Sequence, residues 1–182
     1  MLTQEQQTEL LRLARESLRA CVRREPMPKP EITDPALLQP RGAFVTLKEH
    51  EALRGCIGLI EATRPLYQAV IDMARSAALE DPRFAPVEPS ELDDIWIEIS
   101  VLGPLEPIAD VAQIQVGTHG LMIRKGFHSG LLLPQVAAER GWDRVQFLEQ
   151  TCLKAGLGPN EWRHDAHILA FTAHVFGDEH SA

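Results

Sequence analysis

The sequence predicts an α+β fold: an antiparallel-rich sheet with packed helices, built from two hairpin–helix–strand units in one domain spanning residues 1–182. Three observations carry that prediction. Two pairs of short apolar runs are each split by a polar turn, the pattern of a β-hairpin. Each pair is followed by apolar residues at helical spacing, and then by another strand-like run. Hairpins pair antiparallel, which excludes a doubly wound parallel sheet.

The elements follow in order. Residues 4–24 read as an amphipathic helix with Leu10, Leu11, Ala14, Leu18, Cys21 and Val22 on one face. Thr3 and Gln6 have the spacing of a capping box. Pro26, Pro28 and Pro30 stop the helix and continue as an extended linker. The first unit spans 43–102. Its hairpin joins Phe44-Val45-Thr46-Leu47 to Leu53-Arg54-Gly55-Cys56-Ile57-Gly58-Leu59-Ile60 across the run Lys48-Glu49-His50-Glu51. Thr63 is expected to cap the next helix, with Pro65 in its first turn and Asp81-Pro82 at its end. Ile95–Leu102 alternates cleanly. Ile95, Ile97, Ile99 and Val101 point inward, while Trp96, Glu98 and Ser100 line the other face.

The second unit spans 121–176. Its hairpin joins Leu121–Lys125 to Gly130–Leu133 around Gly126-Phe127-His128-Ser129. Asp143 caps a helix that Gly156 ends, and residues 167–176 form the last strand. The two units share element order without shared residues.

Composition bounds the function. The chain has 182 residues, 45% hydrophobic, with a net charge of −8. That acidity argues against a nucleic-acid surface. No 18-residue apolar stretch and no apolar leader core occur, so a cytoplasmic protein outside the membrane is expected. The three cysteines, Cys21, Cys56 and Cys152, form no CxxC pair, and so few cysteines fit a reducing compartment. His164-x-x-His167 straddles a loop and a strand start, and residues three apart on a strand face opposite ways. No metal or cofactor is expected. Gly55-x-x-Gly58 lacks the lysine and helix of a phosphate loop, and no GxSxG occurs.

The segment Leu53-Arg54-Gly55-Cys56-Ile57-Gly58 holds the chemistry. Two glycines within a strand point to a bulge or a close approach by another group. Alternation places Arg54, Cys56 and Gly58 on one face, opposite Leu53, Gly55, Ile57 and Leu59. An arginine beside a cysteine favours the thiolate, whereas a buried free cysteine is a small apolar filler. Glu98, on a strand that plausibly shares the sheet, is expected to pair with Arg54 beside Cys56. A register-fixing ion pair is the structural alternative. Arg83, in Asp81-Pro82-Arg83-Phe84, either binds an anion or meets the end of its helix. His119, before a strand, either serves acid–base chemistry or is an ordinary loop histidine.

The same segments carry a resemblance. Gly42–Leu47, Leu53–Gly58, Asp81–Phe84, Ile97–Leu102, His119-Gly120-Leu121, Gly130–Val136, Gly141-Trp142-Asp143 and Cys152–Leu157 occur in order. Together they resemble the AMMECR domain family, called AmmeMemoRadiSam system protein A in microbes. The LRGCIG segment is the specific part, and the match weakens beyond Trp162. The resemblance implies a setting rather than a reaction: the company of a Memo-like protein, similar to extradiol dioxygenases, and a radical SAM enzyme.

Two functions then stand. One is a small-molecule enzyme or catalytic subunit with a cleft at the LRGCIG strand. Cys56 would be its thiolate, Arg54 its activator or anion clamp and Glu98 its orienter, with Gly55, Gly58, Arg83 and His119 binding substrate. The other is a non-catalytic adapter that docks one of those partner proteins on the glycine-lined strand.

Overall fold

The computed structural model describes residues 1–50 and 52–178. Glu51, in the expected turn, and the last four residues lie outside that set. The chain divides into two compact units. Unit 1 is Met1–Leu102 with the chain from His174, and unit 2 is Gly103–Ala173.

Unit 1 opens with α1, Gln4–Arg23, which starts at the Thr3–Gln6 capping box read from the sequence. After the short helix α2, Pro35–Leu38, come the hairpin strands β1, Ala43–Glu49, and β2, Ala52–Leu59. Helix α3, Leu66–Leu79, and strand β3, Ile95–Leu102, complete the unit's main frame. Strand β1 lies between β2 and β3 and pairs antiparallel with both. The helices cover one sheet face. Leu10, Leu18, Leu66, Val70 and Ala74 pack there on Val45, Leu47, Ile97 and Ile99, all fully or almost fully buried. Each large side chain so enclosed contributes about 1.5–3 kcal/mol relative to exposure. Inside this layer the Ser17 hydroxyl donates to Ile71 O at 2.6 Å, joining α1 to α3.

The expected Thr63 cap on α3 is not made. Pro65 occupies the N-cap without a side-chain bond, and the Leu66 N–H donates to Gln39 O at 3.0 Å. A backbone carbonyl from a distant segment supplies what Thr63 was expected to give.

Unit 2 carries β4, Glu106–Pro107, β5, His119–Lys125, and β6, His128–Leu132. Helices α4, Pro134–Glu139, and α5, Arg144–Lys154, follow, the second capped by Asp143 as expected. Strand β7, His167–Gly177, pairs antiparallel with both β4 and β5. Phe147, Leu148 and Cys152 of α5 form a core with Leu121, Ile123 and Ala170. The β5–β6 turn is two residues, with Gly126 at φ +58, a conformation that suits glycine, and Phe127 fully exposed. The last residues of β7 belong to unit 1, where Asp178 N–H donates to Ile97 O and Asp178 Oδ2 accepts from Ile97 N–H. The fold is thus α+β, with antiparallel pairing along its strands.

Candidate functional site

Strand β2 is an edge strand against β1. Its register is Thr46↔Cys56, Leu47↔Gly55 and then Lys48↔Leu53, so a bulge at Arg54 interrupts the ladder. The bulge separates the two residues expected to act together. Arg54 turns away to Glu91, with Nε to Oε1 at 2.6 Å, and to Ala85 O at 2.9 Å. Glu98 instead accepts from Lys48 Nζ at 2.9 Å. The expected Arg54–Glu98 pair is therefore replaced by two separate pairs, both on unit 1.

Gly55 faces α3 closely. A Cβ there would stand 2.2 Å from Ala77 O, in the helix backbone. Gly58 lies under the Phe44 ring, where a Cβ would overlap the ring atoms. Both glycines thus permit close approach by neighbouring protein groups, from opposite faces of the strand.

Cys56 is held at three atoms. Its N–H donates to Asp81 Oδ2 at 2.9 Å, and its carbonyl accepts from Arg83 Nη2 at 3.3 Å. Its Sγ receives the Thr46 hydroxyl at 3.2 Å. The outward N–H shows that Thr46 and Cys56 form a non-hydrogen-bonded cross-strand pair, the kind whose side chains approach most closely. On the other side of β1, Thr46 stands opposite Glu98. Cys56, Thr46 and Glu98 therefore form one row across β2, β1 and β3, on the sheet face opposite the helices.

Asp81 and Arg83 come from the turn after α3. Asp81, 5% exposed, accepts from the Arg83 backbone N–H at 3.1 Å, from Arg83 Nε at 2.9 Å and from Arg83 Nη2 at 2.7 Å. Those bonds, with the one from Cys56 N–H, hold its carboxyl well below the usual carboxylate range despite burial. Arg83 keeps about half of its side chain exposed while it grips Asp81 and leans on the Phe84 ring.

Burial pushes the Cys56 thiol up from its ordinary value. The Thr46 hydroxyl and the Arg83 charge pull it down, while Asp81 and Glu98 push it up. The expected lowering by Arg54 gives way to this balance: the nearby cation is Arg83, and the resting group is a thiol. Burial also raises Cys21 and Cys152.

Thr46, Asp81, Lys48 and Glu91 are the site neighbours the sequence reasoning missed. His119 belongs to unit 2, where its Nδ1 accepts from Gln115 N–H at 3.2 Å. Among the described residues, no cluster of three or more His, Cys, Asp or Glu could hold a metal ion. No helix among them is long and apolar enough to cross a membrane.

These features define an antiparallel α+β protein with a cysteine-centred polar row on a glycine-bearing edge hairpin. Residues 11–176 match the AMMECR1 family model, and the chain belongs to that family. A protein of Thermococcus gammatolerans is 48% identical over 94% of this chain and 89% of its own length. One from Methanopyrus kandleri is 50% identical over 79% of this chain and 74% of its own. The crystal structure of an uncharacterised protein from Pyrococcus horikoshii superposes with a TM-score of 0.90 at 42% identity. That match covers 94% of this chain and 91% of the other.

Proposed function

We propose that the chain is a small-molecule enzyme, or the catalytic subunit of one, in which Cys56 is the reacting thiol. The observation that supports this best is the three-point hold on Cys56, at N–H, C=O and Sγ, by side chains from two different segments. A cysteine serving only as packing needs none of these, whereas a reacting sulfur must be fixed to within a fraction of an ångström.

The roles follow from the row. Cys56 rests as a thiol. On substrate binding its proton leaves sulfur for solvent water while the Thr46 hydroxyl holds Sγ, with the Glu98 carboxylate, opposite Thr46 in the ladder, as the orienter of the row. Lys48 steadies that carboxylate. The sulfur lone pair then forms a bond to an electrophilic carbon of the substrate, whose π electron pair moves to its own oxygen, and that oxygen takes a proton from water, matching the one the thiol released. The exposed side of Arg83 is the anion clamp. Arg54 supports the fold of the site through Glu91 rather than activating the thiol.

A second reading is a non-catalytic adapter for a Memo-like or radical SAM protein, in the setting named AmmeMemoRadiSam. The raised Cys56 thiol favours it, because a protonated sulfur is a poor nucleophile. Incubating the protein with a small-metabolite extract distinguishes the two. The enzyme reading expects consumption of a component, or an adduct mass at Cys56, that Cys56→Ser abolishes. An extract left unchanged, with binding of a purified Memo-like or radical SAM protein retained in Cys56→Ser, would replace it with the adapter.

A further inference from the structure

Unit 2 has a polar row of its own. On β7, Ala170 and Thr172 are two residues apart and share a face. Glu106 of β4 stands opposite Ala170, and His119 of β5 stands opposite Thr172. Glu106, Thr172 and His119 thus lie on one face of three adjacent strands. That is the face on which Ala170 and Leu121 enter the core. The three polar groups sit just past the last apolar layer, and a cavity of about 370 Å³ opens over them. Its size falls within the range of small-molecule sites. Gln113 adds a carboxamide to the lining, and Pro104 and Ile108 add apolar surface.

The chemistry of the lining selects its ligand. Among the described residues, one carboxylate, Glu106, lines the cavity, and no lysine or arginine does. His119 accepts the Gln115 N–H at Nδ1, so a neutral ring carries its proton on Nε2 and offers a donor there. A cavity with one anion, neutral donors and apolar sides favours a cation with an apolar body and disfavours an anion.

We propose that the Glu106–Thr172–His119 row forms a binding site for a small organic amine, its ammonium on Glu106 and its apolar body against Pro104 and Ile108. Every residue of the site belongs to unit 2, so the proposal stands apart from the Cys56 chemistry. The test is a titration of the full-length, ¹⁵N-labelled protein with phenethylamine, tyramine and phenylacetate, followed by backbone amide shifts. Saturable shifts at residues 106–113, 119–120 and 170–172 are expected with the two amines and not with phenylacetate. Glu106→Gln, whose spectrum must otherwise match the parent, is expected to weaken amine binding about tenfold, the scale of one charged hydrogen bond. Cys56→Ser is expected to leave it unchanged. Absence of saturable shifts, equal binding of phenylacetate, or undiminished affinity in Glu106→Gln each overturns the proposal.

Discussion

Gly55→Ala tests how the reactive strand is seated. The added Cβ would stand 2.2 Å from Ala77 O and 3.1 Å from Ala77 C. Both opposing atoms are helix backbone, so no rotamer change relieves the overlap. Strand β2 and helix α3 must separate by about 1 Å to restore ordinary contact. Loss of contact in the layer beneath, where Ile57 and Val45 meet α3, follows from that separation. Overpacking of this kind costs about 1–3 kcal/mol, and the rigid backbone on the far side places this case near the top of that range. With a urea slope of about 2–3 kcal/mol/M, the unfolding midpoint falls by roughly 1 M. Gly158→Ala is the control: its Cβ would meet only Glu161 Cγ at 3.6 Å, an ordinary contact. Stiffening the unfolded chain there leaves stability unchanged or raises it by up to about 1 kcal/mol. Urea titrations followed by circular dichroism compare the three proteins. A Gly55→Ala midpoint within 0.2 M of the parent, on the order of 0.5 kcal/mol, refutes direct packing of β2 on the α3 backbone.

Three further outcomes are expected. Arg54→Ala breaks a mostly buried pair with Glu91 and costs about 1 kcal/mol, yet leaves the alkylation rate of Cys56 within about twofold, as peptide mass spectrometry after brief iodoacetamide treatment would show. Asp81 has a folded-state pKa below its unfolded one, so its contribution to stability is full above the ordinary carboxylate value, near pH 4, and fades as the pH falls through that value toward the folded one. Asp81→Ala is therefore expected to cost about 2–4 kcal/mol at pH 7 and to show a flatter loss of stability between pH 5 and pH 3 than the parent, measured by urea unfolding at each pH. Phe127→Ser, at a fully exposed hairpin tip, is expected to change stability by less than about 0.5 kcal/mol in the same assay.

Much of the frame was legible because local signals agreed with the tertiary outcome. The Thr3–Gln6 capping box, the Asp143 cap and the burial alternation from Ile95 to Ile99 all appear where the sequence put them, whereas Ser100, expected on the open face, is buried, as is Leu102. Helices α2 and α4 were missed although each begins with proline in its first turn. Asp34-Pro35 and Leu133-Pro134 carried that signal. The α3 cap was misread because its donor is satisfied by Gln39 O, a partner that no local rule supplies.

The site was legible only in part, for a geometric reason. Counting outward from the β1–β2 turn pairs Leu47 with Arg54. The bulge shifts the register by one, so Leu47 meets Gly55 and Thr46 meets Cys56. The shift keeps Leu47 in the core and brings a hydroxyl to the sulfur. It also leaves Arg54 out of the ladder, where Glu91 from a later loop captures it. Asp81 and Arg83 reach Cys56 across a helix, a contact that strand periodicity does not encode.

The pH dependence of Cys56 alkylation, compared among the parent, Thr46→Val and Glu98→Gln, tests the central claim most directly. The account requires opposite displacements. Thr46→Val removes the hydroxyl that favours the thiolate, so the profile moves to higher pH and the rate near neutrality falls. Glu98→Gln removes a negative charge that opposes the thiolate, so the profile moves to lower pH and the rate rises. Each displacement of one pH unit is a tenfold change in thiolate at a pH below the transition. Coincident profiles for all three proteins, or displacement in one common direction, would contradict a row in which Thr46 and Glu98 govern the Cys56 proton.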